Sequence, residues 1–467
     1  MTEVKTDMDI AVILAAGMGT RMKSESPKTL HPILGEPMIE YVINALELAG
    51  VKRIITVLGY GAKRVEAALG DRIIPVYQQE QLGTGHALLM ALPVLNEYRQ
   101  AGGGDCLVVY GDTPLLKGET LSALRKARQD ALAAASVMTA DLDNPTGYGR
   151  VIRDGDRICR IVEEKSADPA QKLIREINVG AYSFDIGWLS QALENLSPAN
   201  TQGEYYLTDT IEWLADHGQA VTGYRLSNPE EGMGVNDRAQ LAEAQEILRR
   251  RINRRHMLDG VTVDESAGTM IGPFVQIGMD TVIGTGTQIF GRTVIGEGCV
   301  IGPRSKVTDC KIGDGTTVDQ STLIDCVIGK NGIIGPYSYL RPDCVFEDKV
   351  KAGAFVEMKN AKVATGSKIP HLSYIGDCEI GKNVNIGAGS ITCNYDGVNK
   401  FKTIIEDDAF TGSNSNFVAP VTIGRGAYTA AGSTITMDVP PDALGVARGR
   451  QSNIIGWTKR NKIYRKG

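Results

Sequence analysis

The chain has 467 residues, of which 22% are charged and 42% hydrophobic, and a formal net charge of −5 at pH 7. This length exceeds one hydrophobic core and predicts two or three domains, and the composition is that of an ordinary soluble protein rather than of a disordered chain. The negative charge gives no reason to expect a nucleic-acid partner. The one early apolar run is too short to span a membrane.

The cysteines and the arginine runs bear on location and partners. The eight cysteines include no CxxC pair and no short disulfide spacing, which favours a reducing cytoplasm. No basic segment or cleavage site of a signal peptide accompanies the early apolar run. The arginine runs at 249–251 and 254–255 are interpreted as the solvated face of a helix rather than as a nucleic-acid site.

The first predicted element is a strand over residues 10–16, a continuous apolar run typical of a parallel sheet buried on both faces. It leads into a glycine loop over residues 17–22, whose backbone N–H groups could converge on an anion. The loop is neither a P-loop nor a full dinucleotide fingerprint, because no Gly-Lys-Ser/Thr follows and the third glycine position is Met22. A plain tight turn is the alternative.

The next predicted elements alternate between helix and strand. We expect helices at 39–48 and 62–69 and strands at 53–58, 73–77 and 106–110. This alternation favours an α/β doubly wound domain, whose ligands lie beyond the carboxyl ends of the strands. Asp112 is at such a place, where a lone carboxylate commonly holds a divalent cation. The alternative is an aspartate that caps the following turn.

A long connecting helix is predicted next, because Leu241, Ala244, Leu248 and Ile252 have helical spacing between charged residues. The predicted organisation is therefore a first domain over residues 1–238, a polar linker helix over 239–259 and a second domain over 260–467.

The second domain shows a six-residue period. Isoleucine recurs at positions 271, 277, 283, 289, 295 and 301. This period fits neither an α-helix nor an ordinary strand, but it fits a coil with three flat sides and a glycine at many corners, a β-solenoid.

Phase slips further along the chain are interpreted as loops that leave the prism. The segment 363–374 is predicted to be such a loop, and it carries His371. A histidine on a loop is more often incidental than catalytic, although an imidazole can abstract a proton near neutral pH.

Taken together, the motifs resemble a known family. They lie at 14–22, 27–31, 78, 81–87, 110–112, 147–149, 163, 178 and 234–236. Their order and spacing are similar to those of the sugar-phosphate nucleotidyltransferases. With the hexapeptide solenoid, nearly the whole chain resembles the bacterial bifunctional enzymes that combine N-acetylglucosamine-1-phosphate uridyltransferase with glucosamine-1-phosphate acetyltransferase. The resemblance implies a Rossmann-like domain, a left-handed parallel β-helix and a homotrimer.

For the first domain, the resemblance implies uridylyl transfer from UTP to N-acetylglucosamine-1-phosphate without a protein nucleophile. Arg21 and Lys28 would neutralise phosphate charge, and Asp112 and Asn236 would bind Mg²⁺. The nucleotide and sugar contacts would come from Leu14, Ala15, Ala16, Gly17, Lys28, Gln78, Gly83, Thr84, Tyr110, Gly111, Asp112, Gly149, Glu163, Asn178 and Asn236. Val179 stands where the family usually has threonine, which predicts a looser sugar contact.

For the second domain, the resemblance implies acetyl transfer from acetyl-CoA to glucosamine-1-phosphate, with His371 as the proton acceptor. The amino-sugar phosphate would be bound by Arg341, Lys359, Tyr374 and Asn385. Acetyl-CoA would be bound by Ala388, Asn394, Tyr395, Ser413, Ala431 and Arg448. Ile369 and Pro370 replace a smaller pair that the family often has, and the proline is predicted to stiffen the loop.

Two other functions stay open at this point. One is a mono-functional nucleotidyltransferase with a regulatory solenoid, and the other is a non-catalytic scaffold with the same layout. The intact Lys28, Asp112 and Asn236 argue against the scaffold. His371, together with the two cations Arg341 and Lys359, argues against the mono-functional enzyme.

Overall fold

A computed structural model describes residues 10–198 and 203–460. The chain divides into two compact units, residues 1–251 and 252–467. Within the described ranges, no helix has both the length and the apolar character that crossing a bilayer requires.

The first unit is built from alternating strands and helices. Its strands are β1 (Ile10–Ala15), β2 (Pro32–Ile33), β3 (Glu36–Pro37), β4 (Arg53–Leu58), β5 (Ile74–Tyr77), β6 (Asp105–Tyr110), β7 (Ala135–Asp141), β8 (Arg150–Asp154), β9 (Arg157–Val162), β10 (Glu176–Asp185) and β11 (Val221–Arg225). Its helices are α1 (Met38–Leu48), α2 (Ala62–Leu69), α3 (Thr84–Gln100), α4 (Gly118–Asp130), α5 (Ile186–Glu194), α6 (Asp209–Asp216) and the first part of α7 (Arg238–Leu258), which continues past residue 251 into the second unit. The predicted elements of this unit are confirmed to within a residue or two.

Nine of these eleven strands form one sheet, whose central order is β11-β7-β10-β6-β1-β4-β5, and β2 pairs separately with β3. Strand β1 is parallel to both β4 and β6, whereas β10 is antiparallel to β6. Buried side chains cover both faces: Val12 of β1 belongs to one apolar cluster and Ile13 to the other. The doubly wound α/β fold is therefore confirmed, and the carboxyl ends of β1 and β6 lie side by side.

The second unit consists mainly of very short parallel strands. They are β12 (Thr262–Val263), β13 (Met270–Ile271), β14 (Gln276–Ile277), β15 (Val282–Ile283), β16 (Gln288–Phe290), β17 (Val294–Ile295), β18 (Val300–Ile301), β19 (Lys306–Thr308), β20 (Lys311–Ile312), β21 (Thr317–Val318), β22 (Thr322–Ile324), β23 (Cys326–Ile328), β24 (Ile333–Ile334), β25 (Tyr339–Leu340), β26 (Cys344–Phe346), β27 (Lys351–Ala354), β28 (Glu357–Val363), β29 (Lys368–His371), β30 (Tyr374–Ile380), β31 (Ile391–Cys393), β32 (Thr403–Ile405), β33 (Phe410–Thr411), β34 (Asn416–Val418), β35 (Val421–Ile423), β36 (Tyr428–Thr429), β37 (Thr434–Ile435) and β38 (Leu444–Gly445). A short helix, α8 (Trp457–Arg460), follows.

The strand register confirms the six-residue period. Ile271 pairs with Ile289, and Ile283 pairs with Ile301, so each isoleucine stacks on the one that lies a full coil of three sides further along the chain. All four side chains are 0% exposed and fill the interior of the prism. This is the predicted left-handed parallel β-helix of hexapeptide repeats.

Most phase slips do not produce loops, contrary to our expectation. The register steps from Val294 to Lys311 and then to Val327, so coils slightly shorter than the regular one keep the parallel ladder intact. A shorter coil needs only a tighter corner. The clear exception in the described chain is the long coil from Glu379 to Ile404, which contains an excursion over residues 394–402.

The prediction of a loop at 363–374 is wrong. Strand β29 lies within this segment and pairs with β27, so that His371 stands opposite Ala354 at the end of a strand. Ile369 is 0% exposed and fills the prism, which explains its apolar side chain. Pro370 also belongs to this strand and so stiffens no loop.

Helix α7 is less solvated than its composition suggests. Arg249 is 7% exposed and binds the carboxylate of Glu246 at 2.6 Å, and Arg251 donates to the carbonyl of Leu115 at 2.8 Å. Arg250 and Arg254 are exposed. The interpretation of the arginine run as a solvated face holds only for part of it, because the aliphatic stems and fixed carboxylate partners allow some arginines to be buried.

Candidate active sites

The first candidate site is a cleft of about 670 Å³ at the carboxyl edge of the β1–β6 pair. Its lining includes all the residues that the resemblance assigned to the first domain except Gly111. Gly111 lies just behind the wall, where its N–H donates to the carbonyl of Leu14 at 3.0 Å. The cleft thus brings together residues from widely separated parts of the first unit.

Two cations and two oxygen-bearing side chains meet at one end of this cleft. Lys28 forms an ion pair with Asp112 and donates to the amide oxygen of Asn236 at 2.9 Å. Arg21 donates to the same oxygen at 2.8 Å. The backbone N–H of Val235 donates to the carbonyl of Asp112 at 2.8 Å, which holds Asn236 beside the carboxylate.

The glycine loop after β1 lets this cluster form. Gly19 has a φ of +60°, and a Cβ atom there would lie 2.7 Å from the Cβ of Lys28. Gly17, in contrast, has no atom within 4 Å of such a position, so its backbone faces open space. The loop can therefore approach a phosphate group closely while Lys28 packs behind it.

The oxygen atoms of Asp112 and Asn236 fit a divalent cation. Both already face one positive charge, the ammonium of Lys28, and carboxylate and amide oxygens are ligands that Mg²⁺ accepts. Within the described residues, no group of three or more histidines, cysteines and acidic residues could hold a metal. A cation at this position would therefore take its other ligands from phosphate and water, as Mg²⁺ commonly does.

The opposite end of the cleft is fixed by backbone contacts. Tyr205 donates its N–H to the carbonyl of Leu82 at 2.8 Å, and Leu207 donates its N–H to the hydroxyl of Thr84 at 3.0 Å. Gly83 has a φ of +111°, and a Cβ there would lie 2.5 Å from the carbonyl oxygen of Tyr205. Only glycine fits, so this loop is held in place before any ligand arrives.

Between these ends lie a half-buried carboxylate and a buried amide. The hydroxyl of Thr208 donates to Glu163 at 3.1 Å, while burial raises the pKa of the Glu163 carboxyl above its ordinary value. Asn178 donates to the hydroxyl of Tyr182 at 2.7 Å. Val179 is 4% exposed and packs in the apolar core of the sheet. Val179 also lines the cleft, so the loss of a sugar contact through the missing threonine hydroxyl stays a prediction.

The second candidate site lies on the β-helix. Tyr339 pairs with Glu357, and Lys359 pairs with residue 376, which places Arg341 and Lys359 on adjacent rungs of one face. Rungs of a parallel sheet are about 4.8 Å apart. Arg341 also binds Glu357 at 3.0 Å, and both side chains are partly exposed. Two cations at this spacing can bind one phosphate group.

A column of exposed and half-buried residues runs along the neighbouring corner. It contains His371, Ala388, Ser413 and Ala431, which lie on successive rungs. Backbone hydrogen bonds connect these rungs. The carbonyls of His371, Ala388 and Ser413 accept from the N–H groups of residues 389, 414 and 432, at 3.4, 2.7 and 2.8 Å. The three spacings between these four rungs add up to about 14 Å. One chain therefore presents a continuous edge on which an extended ligand could lie with its reactive end at His371.

Two further predicted residues surround this corner. Tyr374 follows it at the start of β30, and its hydroxyl lies near the amide of Asn394, which binds Asp377. Asn385 bridges the rungs above and below it. Both residues therefore lie close to the His371 column, and a contact of either side chain with the sugar stays a prediction.

The last two predicted residues are exposed. The excursion at 394–402 carries Tyr395, which is 60% exposed. Arg448 lies beyond the last strand, β38. A contact of either side chain with acetyl-CoA stays a prediction.

Three contacts of these sites were not identified from the sequence. Thr208, which binds Glu163, carries no motif of its own. His86 belongs to the motif at 81–87, but no role was assigned to it, and it contacts Gln78. Asp377 holds the base of the excursion and was also missed. For these residues the sequence offered one signal only: His86 belongs to a motif but had no assigned role.

Comparisons with known proteins cover both units. A family model described as a MobA-like NTP transferase domain matches residues 11–176, and one described as a hexapeptide repeat of succinyl-transferase matches residues 402–437. The chain is 51% identical over 454 residues to the bifunctional protein GlmU of a Geobacillus species, with 97% of this chain and 98% of the relative covered. It is 49% identical to that of Clostridioides difficile (96% and 97% covered) and 47% identical to that of Brevibacillus brevis (98% and 98% covered).

Proposed function

The chain belongs to the GlmU family of bifunctional proteins, and on that premise we propose how its two units share the synthesis of UDP-N-acetylglucosamine. The second unit transfers the acetyl group of acetyl-CoA to glucosamine-1-phosphate. The first unit then transfers the uridylyl group of UTP to N-acetylglucosamine-1-phosphate and releases pyrophosphate. The observation that carries this assignment is that each unit holds its own cluster of cations and polar groups, one around Lys28 and one around His371.

In the first unit, an oxygen of the sugar phosphate attacks the α-phosphorus of UTP, and the bond to pyrophosphate breaks. Arg21 and Lys28 stabilise negative charge on the phosphates, and the Gly17 backbone approaches them closely. Glu163, once ionised, accepts hydrogen bonds from sugar hydroxyls, and Asn178 binds the acetamido group. Such a transfer depends on positioning and charge neutralisation rather than on a protein nucleophile.

Mg²⁺ is the cation that we propose for Asp112 and Asn236. When bound, it would neutralise phosphate charge that Arg21 and Lys28 do not cover. Lys28 has a second role in this arrangement, because its ammonium keeps the two oxygen atoms directed to the same point. The amide oxygen of Asn236 is additionally oriented by Arg21 at 2.8 Å.

In the second unit, His371 takes a proton from the amino group as the nitrogen attacks the acetyl carbonyl, and coenzyme A leaves as the thiolate. Arg341 and Lys359 bind the phosphate of the amino sugar from adjacent rungs, while Tyr374 and Asn385 contact the sugar. Acetyl-CoA lies along the column from Ala431 to His371 and contacts Asn394, Tyr395 and Arg448 near it. General base catalysis by a positioned imidazole suits an amine nucleophile.

We also propose that the protein works as a homotrimer. Tyr337, Phe355 and Leu372 stand on successive rungs beside the His371 column and are 53, 59 and 62% exposed. All three have positive φ values, of 60, 59 and 48°. Large apolar side chains gain little from such strained, exposed positions in a single chain. A second and a third copy of the chain would cover them and place a neighbour beside His371.

We further propose that the enzyme acts in the cytoplasm. UDP-N-acetylglucosamine supplies peptidoglycan and lipopolysaccharide synthesis, and UTP and acetyl-CoA are cytoplasmic metabolites. All eight cysteines are free, which supports a reducing cytoplasm.

The mono-functional alternative is not favoured, because relatives named as bifunctional match 96 to 98% of the chain.

A single mixed assay tests the proposed function. The protein is incubated with glucosamine-1-phosphate, acetyl-CoA, UTP and Mg²⁺, and free coenzyme A thiol and pyrophosphate are followed separately. We expect both to appear, with coenzyme A ahead of pyrophosphate, because the acetylated sugar is the substrate of the second step. If no coenzyme A were released from glucosamine-1-phosphate, and pyrophosphate appeared only after N-acetylglucosamine-1-phosphate was added, the protein would instead be a mono-functional nucleotidyltransferase.

A further inference from the structure

The side-chain amide of Gln78 is held in one orientation at the back of the nucleotide cleft. Its nitrogen, Nε2, lies 3.1 Å from the carbonyl oxygen of Gly83 and 2.9 Å from Nδ1 of His86. A backbone carbonyl can only accept a hydrogen bond, so the atom beside Gly83 must be the nitrogen. The two hydrogens of the amide are then both used, one for each neighbour.

The oxygen of the same amide is the atom that Gln78 presents to a ligand. Gln78 lines the cleft, and among the described residues nothing donates a hydrogen bond to its Oε1. This unpaired oxygen is not completely buried, so a ligand in the cleft can reach it. Gln78 therefore offers a pure acceptor to whatever base binds there.

His86 completes this arrangement from the first turn of α3. Because Nδ1 accepts the hydrogen bond, the imidazole is neutral and carries its proton on Nε2. If the amide of Gln78 rotated by half a turn, its oxygen would face two acceptors, Nδ1 and the carbonyl of Gly83. The carbonyl itself cannot move easily, because Tyr205 clamps the loop on both sides of Gly83.

We propose that His86 is a positioning residue that makes this site selective for uracil over cytosine. The inference rests on the proposed uridylyl transfer and adds to it the basis of nucleotide choice. The N3 atom of uracil carries a hydrogen and can donate to Oε1 of Gln78, whereas N3 of cytosine is an acceptor and is repelled. A site whose buried polar group is left unpaired by the wrong substrate discriminates strongly.

The test compares two substitutions of His86 that differ in one property. His86→Asn keeps an acceptor close to the position of Nδ1, whereas His86→Leu keeps the bulk but has no acceptor. The ratio of kcat/KM for UTP to that for CTP is measured with N-acetylglucosamine-1-phosphate and Mg²⁺. We expect the ratio to fall at least about tenfold in His86→Leu, mainly through a higher KM for UTP, and to stay within about threefold of wild type in His86→Asn.

Acetyl transfer by the second unit and the thermal unfolding temperature show whether each variant is folded. A role in folding alone would lower the activity with both nucleotides and leave their ratio unchanged. The wild-type protein provides a second test that needs no variant, since it should reject N3-methyl-UTP, which lacks the hydrogen, as strongly as it rejects CTP.

Two results would overturn the role of His86. One is an unchanged ratio in folded His86→Leu, and the other is a His86→Asn protein that behaves like His86→Leu. Efficient use of N3-methyl-UTP by the wild type would remove the proposed contact with Gln78. If the wild type released no pyrophosphate from UTP, the proposed uridylyl transfer itself would fail, which is a distinct outcome.

Discussion

The ammonium of Lys28 lies 2.9 Å from the amide oxygen of Asn236, although 208 residues separate the two in the chain. Arg21 donates to the same oxygen at 2.8 Å. The amide oxygen is thus held by two cations before a metal ion binds, and one of them, Lys28, also pairs with the carboxylate of Asp112. This contact joins the start of the first unit to its end.

Removing this oxygen should weaken the binding of Mg²⁺. We expect Asn236→Ala to raise the Mg²⁺ concentration for half-maximal pyrophosphate release by at least about tenfold, whereas Asn236→Asp keeps an oxygen ligand and stays active. The measurement is a Mg²⁺ titration of pyrophosphate release, with acetyl transfer as the control for folding. An unchanged Mg²⁺ dependence in Asn236→Ala would remove Asn236 from the metal site.

The stability of the first unit should depend on the charge of Asp209. Burial, with smaller effects of Glu212 and Glu163, raises the pKa of Asp209 from its ordinary value of 3.8 to about 6. A raised native pKa means that ionisation costs the folded state free energy, and this cost grows between about pH 4 and 6 and is complete above pH 6.

Replacing Asp209 by asparagine removes this cost. We expect Asp209→Asn to have a free energy of unfolding at pH 7 about 1 kcal/mol higher than that of wild type, after allowance for the partial exposure of the side chain. The variant should therefore unfold at a higher temperature. The difference should shrink as the pH falls towards 4. Calorimetric unfolding at several pH values measures it, and a difference independent of pH would contradict the assignment.

Acetyl transfer should need neither of the cysteines near the second site. Cys378 is 1% exposed, and burial raises the pKa of its thiol, so it does not supply a thiolate to attack acetyl-CoA. Cys393 is exposed and is the better candidate for an acyl carrier. We nevertheless expect Cys378→Ala and Cys393→Ala to keep acetyl transfer within about threefold of wild type, because the amine attacks directly. Detection of an acetylated enzyme by mass spectrometry, without amino sugar present, would refute direct attack.

The exposed side chains of Tyr337, Phe355 and Leu372, on successive rungs, should hold the trimer together. In Phe355→Asp, a charge replaces a side chain that is 59% exposed, at a φ of 59° that aspartate tolerates better than phenylalanine. The variant should fold, dissociate in sedimentation experiments and lose most acetyl transfer, while pyrophosphate release persists. Leu132→Asp is a matched control, because Leu132 is 92% exposed at a φ of 49° in the first unit. A trimer that survives Phe355→Asp would show that this column is not the interface.

The sequence predicted those features that depend on local pattern. Strands β1, β4 and β6 are mainly apolar and largely buried, and Asp112 follows β6 after Gly111. Parallel strands bring their carboxyl ends to one edge, so the position of the first cleft followed from the order of the elements. The six-residue period likewise predicted the prism, because each side needs one inward residue.

The features that the sequence did not predict depend on register between distant segments. His371 was expected on a loop because a strict six-residue period cannot accommodate shortened coils, which the backbone absorbs at its corners. The column from His371 to Ala431 has unequal spacings along the chain and becomes evident only once the rungs are paired. The contact of Thr208 with Glu163 joins a helix start to a strand end, and no local pattern marks it.

The central claim is that one chain carries two independent active sites. A comparison of two single variants, each assayed for both products, tests it most directly. Asp112→Ala and His371→Ala proteins are each supplied with the substrates of both reactions, including N-acetylglucosamine-1-phosphate, and coenzyme A and pyrophosphate are measured in parallel. We expect Asp112→Ala to lose pyrophosphate release by roughly 10³-fold and keep acetyl transfer. His371→Ala should lose about 10² to 10⁴ in acetyl transfer and keep pyrophosphate release. Loss of both products in either folded variant would contradict two separate sites.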